Sequence, residues 1–189
     1  MDLFRFGFTQ HFFEAHEALF PECEPARVCE QHRGSYVVVA QVGTLRATVA
    51  GRLRHASAAQ RDLPAVGDWV AIDHTRAGNG CAMIRGVLPR SSAIVRAAAG
   101  SAGEEQIIAA NVDTMIVVTA LDRDFNPRRL ERYAALAYGS GVEPVIALNK
   151  ADCCMDVDGY VAAAESVAPG VAVHAISASK GTGLHALNR

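Results

Sequence analysis

Asn149, Lys150 and Asp152 stand in the spacing N-K-x-D, directly after the apolar run Val145, Ile146, Ala147 and Leu148. That spacing suits one ligand, the guanine base. A carboxylate only accepts hydrogen bonds, so Asp152 can take two donors side by side. Guanine presents such a pair in N1–H and the exocyclic N2–H₂, and adenine has nothing equivalent. Two roles are open to Asn149: its amide faces the O6/N7 edge, or it braces the loop. The methylene stem of Lys150 is long enough to lie over the face of the base. Three fixed residues recur by chance in roughly a few per cent of chains this long, so the tetrapeptide alone leaves an ordinary polar strand-to-helix loop as an alternative.

A second stretch narrows that choice. Residues 171–176, VAVHAI, lead into Ser177, Ala178, Ser179, Lys180 and Gly181. In such a loop the backbone N–H of Ala178 is expected to donate to guanine O6, because a small side chain lets the backbone come close. Together the two stretches resemble the base-specificity motifs of GTP-binding domains, which look like NKxD and SAK.

These loops need a scaffold that brings them together. A short apolar run bounded by polar residues reads as a buried parallel strand. Open α/β sheets bind their ligands just beyond the carboxyl ends of such strands. Residues 115–119 form one apolar strand. Asn126-Pro127 then caps and opens a helix carrying Leu130, Tyr133, Ala134, Leu136 and Ala137, which Gly139 and Gly141 stop. Residues 145–148 are the next strand, 159–168 a second helix closed by Pro169-Gly170, 171–176 a third strand, and 184–188 the start of a third helix. This β-α-β-α-β order predicts a parallel sheet with right-handed crossovers. His174, inside the last strand, reads as a packed histidine rather than a catalyst.

The first half of the chain has a different character. Residues 36–40, 45–50, 68–73 and 81–87 read as short strands, with a fifth near 93–96, which suits a small closed barrel of the OB type. Trp69 has two roles open, stacking a base or filling the barrel's packing. Residues 1–34 are expected to be a helical extension, with Thr9 capping a helix that bears Phe12, Phe13, His16, Leu19 and Phe20 and ends at Pro21. Its apolar side is expected to pack on the next domain, with a partner-binding helix as the alternative. Residues 97–103, AAAGSAG, read as a linker, and 104–110 as a short helix or lead-in.

Charge follows the same division. Between Arg33 and Arg96, nine arginines face three aspartates and no glutamate, a balance of +6, while the rest of the chain carries −8. Arg52, Arg54 and Arg61, in the connection between barrel strands, are a candidate footprint for nucleic acid; a solvated charged loop is the alternative. With 189 residues and 50% hydrophobic content, the chain can build one core or two small ones. No apolar run approaches the ~20 residues of a membrane span. Residues 1–20 carry Asp2, Glu14 and Glu17 and lack a cleavage-site pattern, which argues against a signal peptide. The cysteines, at 23, 29, 81, 153 and 154, are odd in number and include no CxxC, so free thiols in a reducing cytosol are expected.

A GTPase also needs a phosphate site, usually G-x-x-x-x-G-K-[ST]. Lys150 and Lys180 are the chain's lysines, and neither is followed by Ser or Thr. No Walker-type metal carboxylate can be assigned either. A barrel ahead of the base motif resembles circularly permuted GTPases, in which base recognition precedes phosphate binding. The stretches QIIAANVD (106–113), LDRDFNPRRLERYAALAYGSG (121–141), PVIALNKAD (144–152) and ISASKGTGL (176–184) resemble the bacterial ribosome-small-subunit-dependent GTPase family, RsgA/YjeQ. GRLRH (51–55) and LPAVGDWVAI (63–72) resemble that family's OB domain.

The resemblance implies an OB domain, a permuted GTPase domain and a C-terminal zinc-binding domain. It implies action in late maturation of the small ribosomal subunit, which stimulates GTP hydrolysis. On that basis residues 35–97 are expected to be an OB-fold domain binding ribosomal RNA through Arg52, Arg54 and Arg61. Residues 98–189 are expected to be the first part of a P-loop-GTPase-like α/β domain. Its Asn149, Lys150, Ala151, Asp152, Ser177, Ala178 and Lys180 would receive the guanine of GTP or GDP. No catalytic residue carries over. The P-loop, the switch regions, Mg²⁺ and a structural Zn²⁺ would belong to sequence beyond Arg189, so the chain reads as a fragment, inactive alone. The small subunit and its RNA are the expected partners, in the cytoplasm, with neither membrane nor DNA. Two other readings stay open: a non-enzymatic RNA-binding OB-fold protein with an α/β scaffold, and another α/β nucleotide-binding enzyme with a fortuitous NKAD.

Overall fold

The computed structural model describes residues 1–56, 60–73, 81–97 and 105–187. They form two compact units, Met1–Val112 and Asp113–Arg189.

The first unit is built on a closed barrel. Its strands are Glu24–His32 (β1), Ser35–Ala40 (β2), Gly43–Val49 (β3), Trp69–Asp73 (β4) and Cys81–Val87 (β5), in the order β1-β2-β3-β5-β4. β1 runs antiparallel to β2 and to β4, and β3 runs parallel to β5. Alternate residues fill the interior: Val28, Val38, Ala47, Val70, Ile72, Ala82 and Ile84 lie in one apolar cluster. This is the expected OB-type barrel, but with a different fifth strand. β1 comes from the stretch expected to be a helical extension. Its inward positions Ala26 and Val28 are buried, while Glu30, Gln31 and His32 are exposed. A strand with one polar half, a proline and a bulge at Val28/Glu30 has little apolar alternation to betray it. Residues 93–97 do not close the barrel. Ala93–Ala97 (β6) pairs antiparallel with Glu105–Ala110 (β7) as a separate ribbon, so the short helix considered for 104–110 is a strand. Of the residues read as a linker, all but Ala97 lie outside the described ones.

Gln10–Leu19 (α1) starts at Thr9, whose side chain makes no cap hydrogen bond. Phe12 and His16 are buried, whereas Phe13 and Leu19 face solvent, so the apolar face is narrower than the sequence suggests. The helix and the segment before it pack on the outside of the barrel, where Leu3, Phe8 and Phe12 cluster with Val39, Trp69 and Leu88. Trp69 is fully buried, with its ring 4.7 Å from that of Phe8, and so takes the packing role rather than the stacking one. The ring of Phe20 occupies the space a Cβ at Gly86 would need, which is why that strand position carries glycine.

A buried ion pair fixes the connection from β3 to β4. Asp68 is 0% exposed and receives Arg90 Nε at 2.7 Å and a second guanidinium nitrogen at 2.7 Å. Arg90 also donates to the carbonyls of Arg61 (2.7 Å) and Leu63 (3.0 Å).

The second unit alternates strand and helix. Thr114–Ala120 (β8), Glu143–Asn149 (β9) and Ala172–Ala175 (β10) form an all-parallel sheet in the order β10-β9-β8. Pro127–Gly139 (α3) follows β8, its cap Asn126 accepting from Arg129 N–H and its first residue a proline. Val157–Val167 (α4) follows β9, capped by Asp156. Both helices share one core with the sheet, through Val117, Leu130, Ala134, Ile146, Leu148, Ala164 and Val171. The sequence places the start of α4 two residues late, at 159, because Asp156 rather than the glycine opens it. The expected third helix is a single 3-10 turn, Leu184–Leu187, and Asn188 lies outside the described residues.

Candidate functional site

All three strands of the second unit end on the same side, and a polar loop leaves each one. After β8 comes Asp122 to Asn126, at the end of β9 Asn149 with Lys150 to Asp152 following, and after β10 Ser177 to Gly181. Strand pairing continues into these loops: Leu121 N–H donates to Asn149 O at 2.8 Å, and Ala151 N–H to Ile176 O at 3.0 Å. The seven residues read as a guanine site therefore lie on two adjacent loops at the carboxyl edge of one sheet.

Asn149 holds these loops together. Its Oδ1 accepts from Lys150 N–H at 2.8 Å and from Ala178 N–H at 3.0 Å, across 29 residues of sequence. Of the two roles open to it, its oxygen braces. The Ala178 N–H, read as a donor to guanine O6, is engaged by that oxygen instead. Among the described residues the Asn149 amide nitrogen has no hydrogen-bond partner.

Lys150 adopts left-handed backbone geometry with φ 65°, a region that non-glycine residues enter only when their surroundings fix them. Its Nζ donates to Asp122 Oδ2 at 2.7 Å. Asp152 is exposed. The Ser177 hydroxyl beside it holds its carboxyl below the usual carboxylate range, and the Lys180 charge adds to that. Ser177 is fully buried. Its Oγ accepts from Lys180 N–H at 3.2 Å and lies 3.2 Å from Ser179 Oγ, which shapes the loop from within. Ala151 is half-buried and joins the core beneath.

The loop after β8 lies beside these residues although no sequence motif marks it. Asp122 and Asp124 are both held below the ordinary carboxylate range, Asp122 by Lys150 and Asp124 by Arg129. Lys150 and Arg129 are pushed up by the same partners. The one sequence signal was position, two aspartates just past the carboxyl end of a strand.

In the first unit, Arg52 and Arg54 lie on the short helix Gly51–Ala56 (α2) and Arg61 on a 3-10 turn, Gln60–Asp62. All three are exposed. Among the described residues no group of His, Cys, Asp and Glu offers a metal three ligands, so neither Mg²⁺ nor Zn²⁺ is assigned a site on them. Likewise no helix among them is long and apolar enough to cross a membrane.

An OB-type barrel followed by part of a P-loop-GTPase-like α/β domain is the class of protein this fold defines. Two solved structures share it: YjeQ from Thermotoga maritima, with a TM-score of 0.65 at 21% identity over 87% of this chain and 55% of that one, and YloQ, described as a circularly permuted GTPase, with a TM-score of 0.57 at 17% identity over 84% of this chain and 53% of that one. The family model for the RsgA GTPase matches residues 87–189, and the chain belongs to that family. A small ribosomal subunit biogenesis GTPase RsgA from Opitutus terrae is 44% identical over 86% of this chain and 46% of its own length. One from Syntrophotalea carbinolica is 41% identical over 99% and 53%. The chain thus spans about half the length of these curated relatives.

Proposed function

We propose that this chain carries the base-selecting part of a GTPase that acts in maturation of the small ribosomal subunit. The observation that carries the reading is the Asn149 brace, which ties the NKAD loop, with its Asp152, to the SASK loop at one edge of one sheet. Asp152, ionised at neutral pH, accepts N1–H and N2–H₂ of guanine. The free amide nitrogen of Asn149 donates to the O6/N7 edge, and the Lys150 stem covers one face. Ala151, Ser177, Ala178 and Lys180 shape the pocket around the base. None of these residues breaks a bond; they choose the nucleotide, and hydrolysis with its Mg²⁺ belongs to a phosphate site elsewhere in the whole protein. The barrel supplies the contact with the subunit, with Arg52, Arg54 and Arg61 meeting ribosomal RNA phosphates in the cytoplasm. The relatives' name as small-subunit biogenesis GTPases and the +6 balance of residues 33–96 support this half of the reading.

The test is Asp152→Asn in the full-length protein, titrated with labelled GDP and with XDP. Xanthine carries a carbonyl where guanine carries its amine, so the amide should favour XDP. GDP binding should weaken about tenfold or more, because a donor then faces donors. Unchanged GDP affinity would refute the assignment.

A further inference from the structure

Lys150 is held at both ends. Its backbone N–H is taken by Asn149 Oδ1 at 2.8 Å. Its ammonium reaches Asp122 Oδ2 at 2.7 Å, on the loop after the neighbouring strand. The side chain therefore stretches across the carboxyl ends of β9 and β8. Its anchor is anchored in turn: Asp122 Oδ1 accepts from Asp124 N–H at 2.8 Å. Asp124 pairs with Arg129 at 2.8 Å, and Arg129 donates to Thr119 Oγ1 on β8 at 3.2 Å. Fold stability does not explain this chain of contacts. The Lys150 and Asp122 side chains are 55% and 39% exposed, and ion pairs so open to water contribute little to folding.

We propose that Asp122 is a positioning residue of the guanine site: it tethers the Lys150 ammonium so that the lysine stem stands as a fixed wall along one face of the base. This rests on the guanine reading above. A free lysine samples many rotamers, and ordering it when the ligand arrives costs affinity. Tethered by Asp122, the stem is ordered before the base enters. The two aspartates then divide the work. Asp152 meets the base edge and sets which base binds. Asp122 acts on the wall, which meets the face common to all purines, and so sets how tightly any accepted base is held.

The division is measurable in the full-length protein with labelled GDP and XDP. Asp122→Asn keeps the bond from Asp124 N–H and removes the charge that holds the lysine. It should weaken GDP binding about three- to tenfold, the cost of one rotamer-rich side chain left to be ordered. The GDP:XDP preference and thermal unfolding should stay as in the wild type. In a Lys150→Met background the same change should have no further effect. GDP affinity unaltered by Asp122→Asn, a loss that persists in the Lys150→Met background, or a shifted GDP:XDP preference would each overturn the proposal. Asp152→Asn in the same series separates the two levels: if it weakens GDP and Asp122→Asn does not, the tether alone fails, and if neither does, the guanine site fails with it.

Discussion

Replacing Arg90 with methionine should be among the most damaging single changes in the barrel unit. Asp68 is completely buried, and among the described residues its carboxylate has three partners: two guanidinium nitrogens at 2.7 Å each and the Ala65 N–H at 2.8 Å. Arg90→Met removes the two charged donors and leaves a carboxylate in the interior with one backbone N–H. It also removes the guanidinium N–H groups that donate to the carbonyls of Arg61 and Leu63. Breaking a buried ion pair from one side costs roughly 3–5 kcal/mol, a large part of the roughly 5–15 kcal/mol that holds a domain together. Trp69, the sole tryptophan, is buried in this unit and reports its unfolding. With a urea slope of about 2 kcal/mol/M, the midpoint read from its fluorescence should fall by about 2 M at unchanged slope. Adding Asp68→Asn to Arg90→Met should restore part of the loss, since no bare charge then remains. A loss below about 1 kcal/mol, the worth of a surface pair, or a double variant no better than the single one, would refute the reasoning.

Gly67→Ala should also unfold the barrel unit early. Its φ is 89° and a Cβ would overlap the Ala110 carbonyl oxygen, so strain and a steric shift add to a loss above about 2 kcal/mol in the same urea titration. Reversing Arg52 and Arg54 to glutamate should weaken binding to small subunits and flatten its dependence on salt by about one unit or more of logarithmic slope; filter binding from low to high salt reads both, and an unchanged slope counts against an RNA role for α2. The 189-residue chain by itself should bind GDP at millimolar strength or below detection in calorimetry. It contains no G-x-x-x-x-G-K-[ST], and phosphate contacts supply most of the affinity in this class. Micromolar binding would reveal a phosphate site in these residues.

The parts of the fold legible in the sequence were those written in local patterns. Val145 to Leu148 announces a buried parallel strand because every residue is apolar. Asn126-Pro127 announces a helix start because the cap and the missing N–H are both local needs. The place of the NKAD and SASK loops was legible for the same reason: each follows directly on the end of an apolar strand run. Choices made between distant segments were not legible. β1 was missed because only Ala26 and Val28 of its early half turn inward, and the decision of β6 to pair with β7 rather than close the barrel is a matter of competing partners. The Lys150–Asp122 pair spans 28 residues and leaves no trace in spacing. Neither does the Asn149 brace, since an asparagine that will reach another loop looks like one that will not.

That brace makes two loops behave as one mechanical part. A single carbonyl oxygen sets where the β9 loop turns and where the β10 loop stops. A change that removes this oxygen releases both loops together, so its effect should exceed that of altering either loop alone. Asp152, Lys180 and Asp122 can each be altered with the others left standing. Asn149 cannot, and a graft of this edge onto another parallel sheet has to carry the asparagine and both loops as an indivisible cassette.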